Sequence, residues 1–192
     1  MTNTLFLPEL REMLADKNEA ELREFCTALH PARTAEFMEG LDVAEMWAVL
    51  QYADLQERIE IFRYFDLERQ AEIIETMPRD EVCELIQALP HDERVDILRD
   101  VDQDVVEDIL LRLPEEDRRD ILRLGAYPEG TAGAVMTTDF ARLDESLTVN
   151  EALNELRRQV ENLETIYYLY VVDSTDHLHG LVSLRQLVLA KG

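Results

Sequence analysis

Apolar residues recur with a period of twelve along the first two thirds of the chain. The pattern fills nine consecutive units, the first of which begins at Asn18, and the eighth, ninth and twelfth positions are apolar in almost every unit. In the unit that begins at Asp66 these positions are Ile73, Ile74 and Met77. Because most units also carry an apolar residue at the fifth or sixth position, the spacing is i, i+3, i+4, i+7, which is one face of an α-helix.

Each unit begins with a residue type that favours the start of a helix. The first positions are Asn18, His30, Asp42, Asp54, Asp66, Pro78, Pro90, Asp102 and Pro114. Asn and Asp cap helix N-termini, and Pro fits the first helical turn. We therefore predict one helix of about nine residues, ~14 Å long, in each unit. Helices this short are marginal alone, so they must stack their apolar faces on neighbours, which predicts a superhelical α-solenoid.

The pattern changes after Gly125. Gly and Pro punctuate residues 126–133, which is typical of a linker. Beyond it we predict strands at 140–143, 166–172 and 178–183, a helix that opens with a capping box at Thr148 and Glu151, and a short helix at 184–190. The chain is therefore predicted to be mainly α, with a helical-repeat domain at 1–125, a junction at 126–136 and a small, partial α/β module at 137–192.

Charge narrows the range of functions. The chain has 42 acidic and 19 basic residues, a net charge of −23, and 46% apolar residues. That apolar content is too high for a disordered acidic chain. Nucleic-acid binding is disfavoured, because phosphate recognition needs clustered Lys and Arg. Such an excess of carboxylates repels itself and requires cations, a basic partner or water.

The acidic residues follow the same repeat. The seventh position is acidic in eight of the nine units, at Glu24, Glu36, Glu60, Glu72, Glu84, Asp96, Asp108 and Asp120. In the last five units the third position is acidic as well, at Glu68, Asp80, Asp92, Asp104 and Glu116. Carboxylates at i and i+4 repel each other on one helix face. Mg²⁺ suits such a face, because it is a hard ion that keeps several waters and takes one or two carboxylates.

A simpler interpretation applies to any one of these acids taken alone. An acidic third position lies in the first helical turn, where the helix dipole favours it. Arginines also stand close by in the sequence, at Arg58, Arg69, Arg94, Arg118 and Arg119. For a single acid, a solvated helix face is therefore the default expectation.

The other reactive residue types indicate structural roles. Cys26 and Cys83 lie inside apolar helical patterns without metal-binding spacing, so we expect reduced core thiols. None of the four histidines has another His or Cys at metal-ligand spacing, so we expect them to cap helices or lie on the surface. They are His30, His91, His177 and His179. No catalytic triad or phosphate-cradling glycine string is indicated, so we predict that the chain is not an enzyme. No run approaches the ~20 apolar residues that span a bilayer, so we expect a soluble region.

Three sequence strings carry a family resemblance. They are residues 127–137 (YPEGTAGAVMT), 165–173 (TIYYLYVVD) and 180–185 (GLVSLR). Together with the helical repeat, they resemble the cytosolic part of the MgtE family of magnesium channels. The repeat resembles the family's N domain, the first string its junction, and the other two the first of two CBS (cystathionine-β-synthase) motifs. The resemblance covers nearly the whole chain.

The resemblance implies a function and a set of ligands. In that family the cytosolic region senses Mg²⁺, and ions bound between the N and CBS domains hold the pore closed. Glu60, Asp92 and Asp96 fall where family metal-ligand carboxylates lie. Family members continue into a second CBS motif, a connecting helix and a membrane domain, so we expect a truncated chain on the cytoplasmic side of the cell membrane. We expect either a homodimer in which half-modules from two chains replace the missing pairing, or a poorly ordered C-terminal third.

Two other functions stay open. One is a protein-interaction scaffold in which the solenoid holds a basic partner. The other is a CBS-type adenine-nucleotide sensor. CBS motifs commonly end in Gly-x-x-Ser/Thr-x-x-Asp, and here Gly180 and Ser183 fit whereas Gln186 replaces the Asp that holds the ribose. That replacement makes nucleotide binding an unfavoured expectation.

Overall fold

A computed structural model describes residues 6–128, 130–160, 163 and 165–190. Contacts divide the chain into two compact units. The first comprises Met1–Leu89 and Glu93–Ala134, and the second comprises Pro90–Asp92 and Val135–Gly192.

In residues 6–128, ten short helices follow one another. They are α1 (Leu7–Ala15), α2 (Glu19–Ala28), α3 (Pro31–Met38), α4 (Val43–Leu50), α5 (Leu55–Phe62), α6 (Leu67–Thr76), α7 (Arg79–Ala88), α8 (His91–Arg99), α9 (Gln103–Arg112) and α10 (Glu115–Gly125). From α2 onward, each helix begins at the second residue of a twelve-residue unit, which confirms the predicted repeat. Helix α1 precedes the repeat and was not predicted.

Side-chain caps explain why several helices begin where they do. The carboxylate of Asp54 accepts a hydrogen bond from the backbone N–H of Glu57 at 2.9 Å, and Asp66 does the same for Arg69 at 2.8 Å. Asp42 and Glu45 form a reciprocal capping box. These bonds satisfy amide groups that have no partner within the helix. Helices α7 and α10 instead follow Pro78 and Pro114 without a side-chain cap.

Most of the repeat's eighth and ninth positions lie in the core of the first unit, whereas Leu122 in the last repeat is 57% exposed. Phe62, Ile73, Ile74 and Ile86 are fully buried. Several helices pack most closely on the next-but-one helix, as α3 does on α5 and α4 on α6. The sequence analysis expected stacking on neighbours but did not identify this alternation.

Polar side chains tie together helices that are three apart in the chain. Arg11 pairs with Glu45 at 2.8 Å, and the indole N–H of Trp47 donates to Glu81 at 2.6 Å. In a third tie, the guanidinium of Arg63, the residue that follows α5, donates to both carboxylate oxygens of Glu93. The partners are 34, 34 and 30 residues apart. Trp47 is itself buried.

Arg94 is the most deeply buried of the described charged side chains, at 5% exposed. Its guanidinium donates to the carbonyl oxygens of Leu89 at 2.7 Å and Gln87 at 2.6 Å, near the end of α7. It also pairs with Asp117 of α10 at 2.9 Å. One side chain thus satisfies backbone acceptors of α7 and joins α8 to α10.

The described residues of the second unit form a three-stranded sheet and two helices. The elements are β1 (Phe140–Asp144), α11 (Val149–Gln159), β2 (Thr165–Val172), β3 (Leu178–Ser183) and α12 (Leu184–Leu189). Strand β2 lies in the middle, parallel to β1 and antiparallel to β3. The core comprises Ala141, Leu143, Ala152, Leu156, Leu169 and Leu187. Thr148 and Glu151 form the predicted capping box.

The sheet leaves aromatic side chains uncovered. Tyr167 and Tyr168 are 77% and 62% exposed. With Val188 and Leu189 of α12 they line an open, largely apolar hollow. Exposed apolar surfaces of this kind are typical of interaction sites. In the part of the chain that the structure describes, no helix is long and apolar enough to cross a membrane.

Arg94→Met should lower the free energy of unfolding by about 3 kcal/mol, because it leaves Asp117 and two carbonyl oxygens without their donor. Urea denaturation measures this change. Arg119→Met is the control, since Arg119 is exposed and makes no described ion pair, and it should change stability by less than about 0.5 kcal/mol. Equal effects of the two substitutions would contradict the role assigned to Arg94.

Candidate functional site

Two of the three predicted ligand residues border one ion pair on the surface of α5 and α8. Glu60 lines a hollow together with Arg63 and Glu93. Asp96 lines an adjoining hollow that shares Arg63 and Glu93. The structure therefore places Glu60 and Asp96 on the two sides of the Arg63–Glu93 pair. Sequence reasoning did not identify Arg63 or Glu93 as part of this surface.

Glu60 and Asp96 each already have a partner. The side-chain amide of Gln56 donates to Glu60 at 3.0 Å from one turn earlier on α5. Arg99 donates to Asp96 at 3.2 Å from one turn later on α8. Both carboxylates stay accessible to solvent, and Asp96 has a side chain that is 48% exposed. An ion could reach either one by displacing a single neighbour.

Asp92 differs from both. It lies in the first turn of α8, one helical turn before Asp96. Its oxygen Oδ1 is buried and has no hydrogen-bond partner among the residues that the structure describes. A buried carboxylate oxygen that lacks a donor is costly, because it has lost water and gained nothing in return. The chemistry of this oxygen fits a hard cation such as Mg²⁺.

The described residues do not form a preassembled metal centre. Among them, no group of three or more His, Cys, Asp or Glu side chains is arranged to hold a metal ion. Mg²⁺ keeps several of its waters and needs only one or two carboxylates. The carboxylates of α5 and α8 can thus supply at most part of a coordination shell.

Arginine neutralises much of the remaining acidic repeat. Five of the eight acidic seventh positions form ion pairs with arginine: Glu36, Glu72, Asp96, Asp108 and Asp120. Most of these pairs are i, i+3 or i, i+4 within one helix, a spacing that the sequence shows. Arg118 and Arg119, by contrast, were expected near acids and form no described ion pair. Most of these acids therefore lie on a helix face and pair with an arginine of the same helix.

The cysteines are buried, and His30 and His177 take part in local hydrogen bonds. Cys26 and Cys83 are both free and buried, and burial raises the pKa of the Cys26 thiol to about 12. His30 caps α3 by accepting from the N–H of Ala32, as predicted. In the turn between β2 and β3, hydrogen bonds from Thr175 and from the backbone of His177 lower the pKa of Asp173 to about 2.

The junction after α10 is held by close contacts. Gly130 has a φ of +76°, which favours glycine. A Cβ added at Gly133 would lie 2.3 Å from Cδ1 of Tyr127, so the tyrosine ring packs directly on the glycine backbone. The carbonyl oxygen of Tyr127 accepts from Arg99 at 3.3 Å. The glycines in this string are therefore required by geometry.

Family models match both parts of the chain. The model of the MgtE intracellular N domain matches residues 29–130, and the CBS domain model matches residues 132–191. The chain belongs to the MgtE family. This finding confirms the resemblance of the repeat, the junction and the CBS strings.

Curated MgtE relatives support the assignment over part of the chain. The magnesium transporter MgtE of Enterococcus faecalis is 45% identical over 74 residues, which cover 38% of this chain and 16% of that protein. The magnesium transporter MgtE of Thermus thermophilus is 42% identical over 78 residues, which cover 41% of this chain and 17% of that protein. The chain thus matches about a sixth of the length of these relatives.

Two solved structures share the fold. The soluble part of a magnesium transporter has a TM-score of 0.83 and 31% identity, covering 96% of this chain and 73% of that one. The cytosolic domain of the Mg²⁺ channel MgtE in complex with ATP has a TM-score of 0.86 and 31% identity, covering 95% and 75%. The predicted fold, a helical-repeat N domain followed by a CBS module, is thereby confirmed.

Asp92→Ala should raise the free energy of unfolding by about 1 kcal/mol in the absence of divalent ions, because it removes a buried oxygen that has no partner. Thermal unfolding followed by circular dichroism measures this. Asp104→Ala is the matched control, because Asp104 holds the same helix position in α9 and is exposed. It should lower stability by a few tenths of a kcal/mol through the helix dipole alone. A loss of stability in Asp92→Ala would contradict the prediction.

Gly133→Ala should lower the free energy of unfolding by about 1 kcal/mol, since the new methyl group overlaps the ring of Tyr127. Gly125→Ala is the control, because its Cβ would meet only Val95, at 3.8 Å. A double-mutant cycle identifies the cause: in a Tyr127→Ala background, Gly133→Ala should become nearly neutral. An unchanged cost in that background would contradict the assigned contact.

Proposed function

We propose that this chain is the Mg²⁺-sensing regulatory region of a magnesium channel or transporter, placed on the cytoplasmic side of the cell membrane. The family membership supports a role in magnesium transport. The observation that carries the sensing role is the buried oxygen Oδ1 of Asp92, for which the described part of the chain supplies no donor. Asp92 lies on the same helix as Asp96. Such an oxygen fits a hard cation.

The residues that would hold the ion are Glu60, Asp92 and Asp96. Bound Mg²⁺ supplies positive charge that offsets repulsion between neighbouring carboxylates. Asp92 contributes the buried oxygen, and Asp96 lies at i+4 on α8, where two negative charges repel each other. Glu60 lies across the Arg63–Glu93 pair on α5 and provides an exposed oxygen. The remaining ligands are water and residues outside this chain.

The same proposal assigns partners. The uncovered hollow beside Tyr167, Tyr168 and Val188 is the surface that a second CBS motif would cover, and without that motif a second copy of this chain would take its place in a homodimer. Regulation would then pass from ion binding at Glu60, Asp92 and Asp96 to the membrane domain of the complete transporter, with gating as the outcome.

A nucleotide-sensing role is the second candidate, because one structural neighbour is a cytosolic domain in complex with ATP. In this chain, the side-chain oxygen of Gln186 accepts from the backbone N–H of Ser183 at 2.9 Å and from its hydroxyl at 2.8 Å. That side chain is occupied in capping α12 and carries no carboxylate for ribose hydroxyls. Mg²⁺ sensing is therefore favoured over nucleotide sensing as the function of this chain.

A magnesium titration tests the sensing role. With Mg²⁺ at ten times its Kd, binding to the folded state stabilises the protein by about 1.4 kcal/mol. A domain of this size should then gain roughly 3–6 °C in Tm. The fluorescence of Trp47, the one tryptophan in the sequence, follows the N domain directly. Sodium chloride at matched ionic strength separates specific binding from screening.

Variants assign the effect to residues. The triple variant Glu60→Gln, Asp92→Asn, Asp96→Asn should lose most of the Mg²⁺-dependent gain in Tm. A matched variant, Glu68→Gln, Asp104→Asn, Glu116→Gln, removes the same amount of charge from exposed first-turn acids and should keep it. Equal gains in the two variants, or no gain in the unmodified chain beyond the sodium control, would refute the proposed function.

A further inference from the structure

A largely apolar hollow lies beside α1 and α2, away from the carboxylates of α5 and α8. Most of its lining residues are apolar: Phe6, Met13, Phe25, Ala28 and Leu29. Two carboxylates, Glu21 and Glu24, complete the lining of this α1–α2 hollow. Its volume is about 340 Å³, which is enough for several apolar side chains. The family model of the N domain begins at residue 29, so the family assignment does not explain this surface.

Two of the apolar side chains in the hollow are exposed. Phe6 is 41% exposed and Leu29 is 43% exposed. The ring of Phe6 is nevertheless packed on the domain, with its centroid 5.0 Å from that of Phe37 and 6.3 Å from that of Phe25. An incoming side chain therefore meets an aromatic surface that is already held in place, which lowers the entropic cost of binding.

The two carboxylates of the hollow have no cation beside them. Glu21 and Glu24 are exposed, and within the described residues neither forms an ion pair. They are three residues apart on α2, a spacing at which like charges are neighbours and repel each other. Glu24 holds the acidic seventh position of the repeat, where most of the other acids are paired with arginine. A positively charged group placed over the hollow would relieve this repulsion.

We propose that the α1–α2 hollow docks a basic amphipathic helix of another protein. Apolar residues of the incoming helix fill the space beside Phe6 and Leu29, and its lysine or arginine residues meet Glu21 and Glu24. An amphipathic helix that lays its apolar face in a groove is a recurrent mode of peptide recognition. Met13 suits such a surface, because a flexible thioether adapts to side chains of different shape.

The structure of the hollow and its charge decide between possible occupants. The hollow is formed by helices, whose backbone groups bond within each helix, so an extended segment finds no strand edge to pair with. A second copy of this chain is disfavoured, because each copy has a net charge of −23. Residues 1–5 contain no lysine or arginine to meet the two carboxylates. A basic helix matches both the apolar and the acidic parts of the lining.

A synthetic peptide serves as the probe. It is a fluorescein-labelled helix of leucine and lysine, with the leucines on one face, and its twin has glutamate in place of every lysine. Fluorescence anisotropy in about 0.15 M sodium chloride, where distant charges are largely screened, measures binding to the full chain. The lysine peptide should bind at least about tenfold more tightly than the glutamate peptide, because only the first has charges complementary to the hollow.

Paired charge variants locate the binding site. Glu21→Gln combined with Glu24→Gln should raise the Kd of the lysine peptide about three- to tenfold, the range that loss of two exposed ion pairs implies. Glu68→Gln combined with Glu116→Gln is the control, because it removes the same charge from exposed acids on α6 and α10. The control should change the Kd by less than about twofold, since distant exposed charges are screened.

A second pair of variants tests the apolar part of the hollow. Leu29→Gln should raise the Kd about fivefold, because less apolar surface is removed from water on binding. Leu111→Gln is the control, since Leu111 is an exposed leucine of α9 outside the hollow, and it should leave the Kd unchanged. Circular dichroism of each variant establishes that the helices are intact.

Three results would refute the proposal. The first is a lysine peptide that does not bind, or that binds the hollow variants and the unmodified chain equally, because binding would then follow overall charge. The second is tighter binding after deletion of residues 1–5, since those residues would then be the occupant. The third is a dimer that sediments intact for the unmodified chain and is lost in Leu29→Gln, which would identify a second copy of this chain as the occupant.

Discussion

The N domain depends on packing between helices that cannot persist alone. Each helix has eight to eleven residues, near or below the length at which isolated helices are marginal in water. Burial of the eighth and ninth positions, as at Ile73 and Ile74, supplies the stabilisation that the helix lacks. The caps fix where each helix begins, but the contact of α4 with α6, or of α3 with α5, keeps it folded.

Local features of the sequence predicted the fold, whereas the site depends on distant contacts. Helix starts follow from residues such as Asp54 and Asp66, whose capping bonds reach only three residues along the chain. Glu60 and Asp96 were predicted through the family resemblance, and the structure places them beside one ion pair. The bond from Arg99 to Tyr127 spans 28 residues and follows no periodic pattern, so no reading of the repeat could have found it.

Although the net charge is −23, many of the acidic side chains in the repeat lie next to an arginine. Arginines placed three or four residues from an acid, as in Arg69–Glu72 and Arg112–Asp108, offset the acidic repeat within single helices. Asp92 is different, since no described residue donates to its buried oxygen. Because most neighbouring acids are paired locally, Asp92 stands apart from them. The candidate ion site is therefore on α8 and does not extend over the whole acidic face.

The ties between helices three apart limit how this domain can evolve. Proteins made of identical repeats grow or shrink by duplicating or losing whole units, because every interface is alike. Here the partners in Arg11–Glu45, Trp47–Glu81 and Arg63–Glu93 are 34, 34 and 30 residues apart. Loss of one twelve-residue unit between any two partners would preserve the apolar period and still separate them. A change in the number of units would therefore cost these pairs even where the apolar period is kept, whereas a substitution elsewhere in a unit leaves them in place.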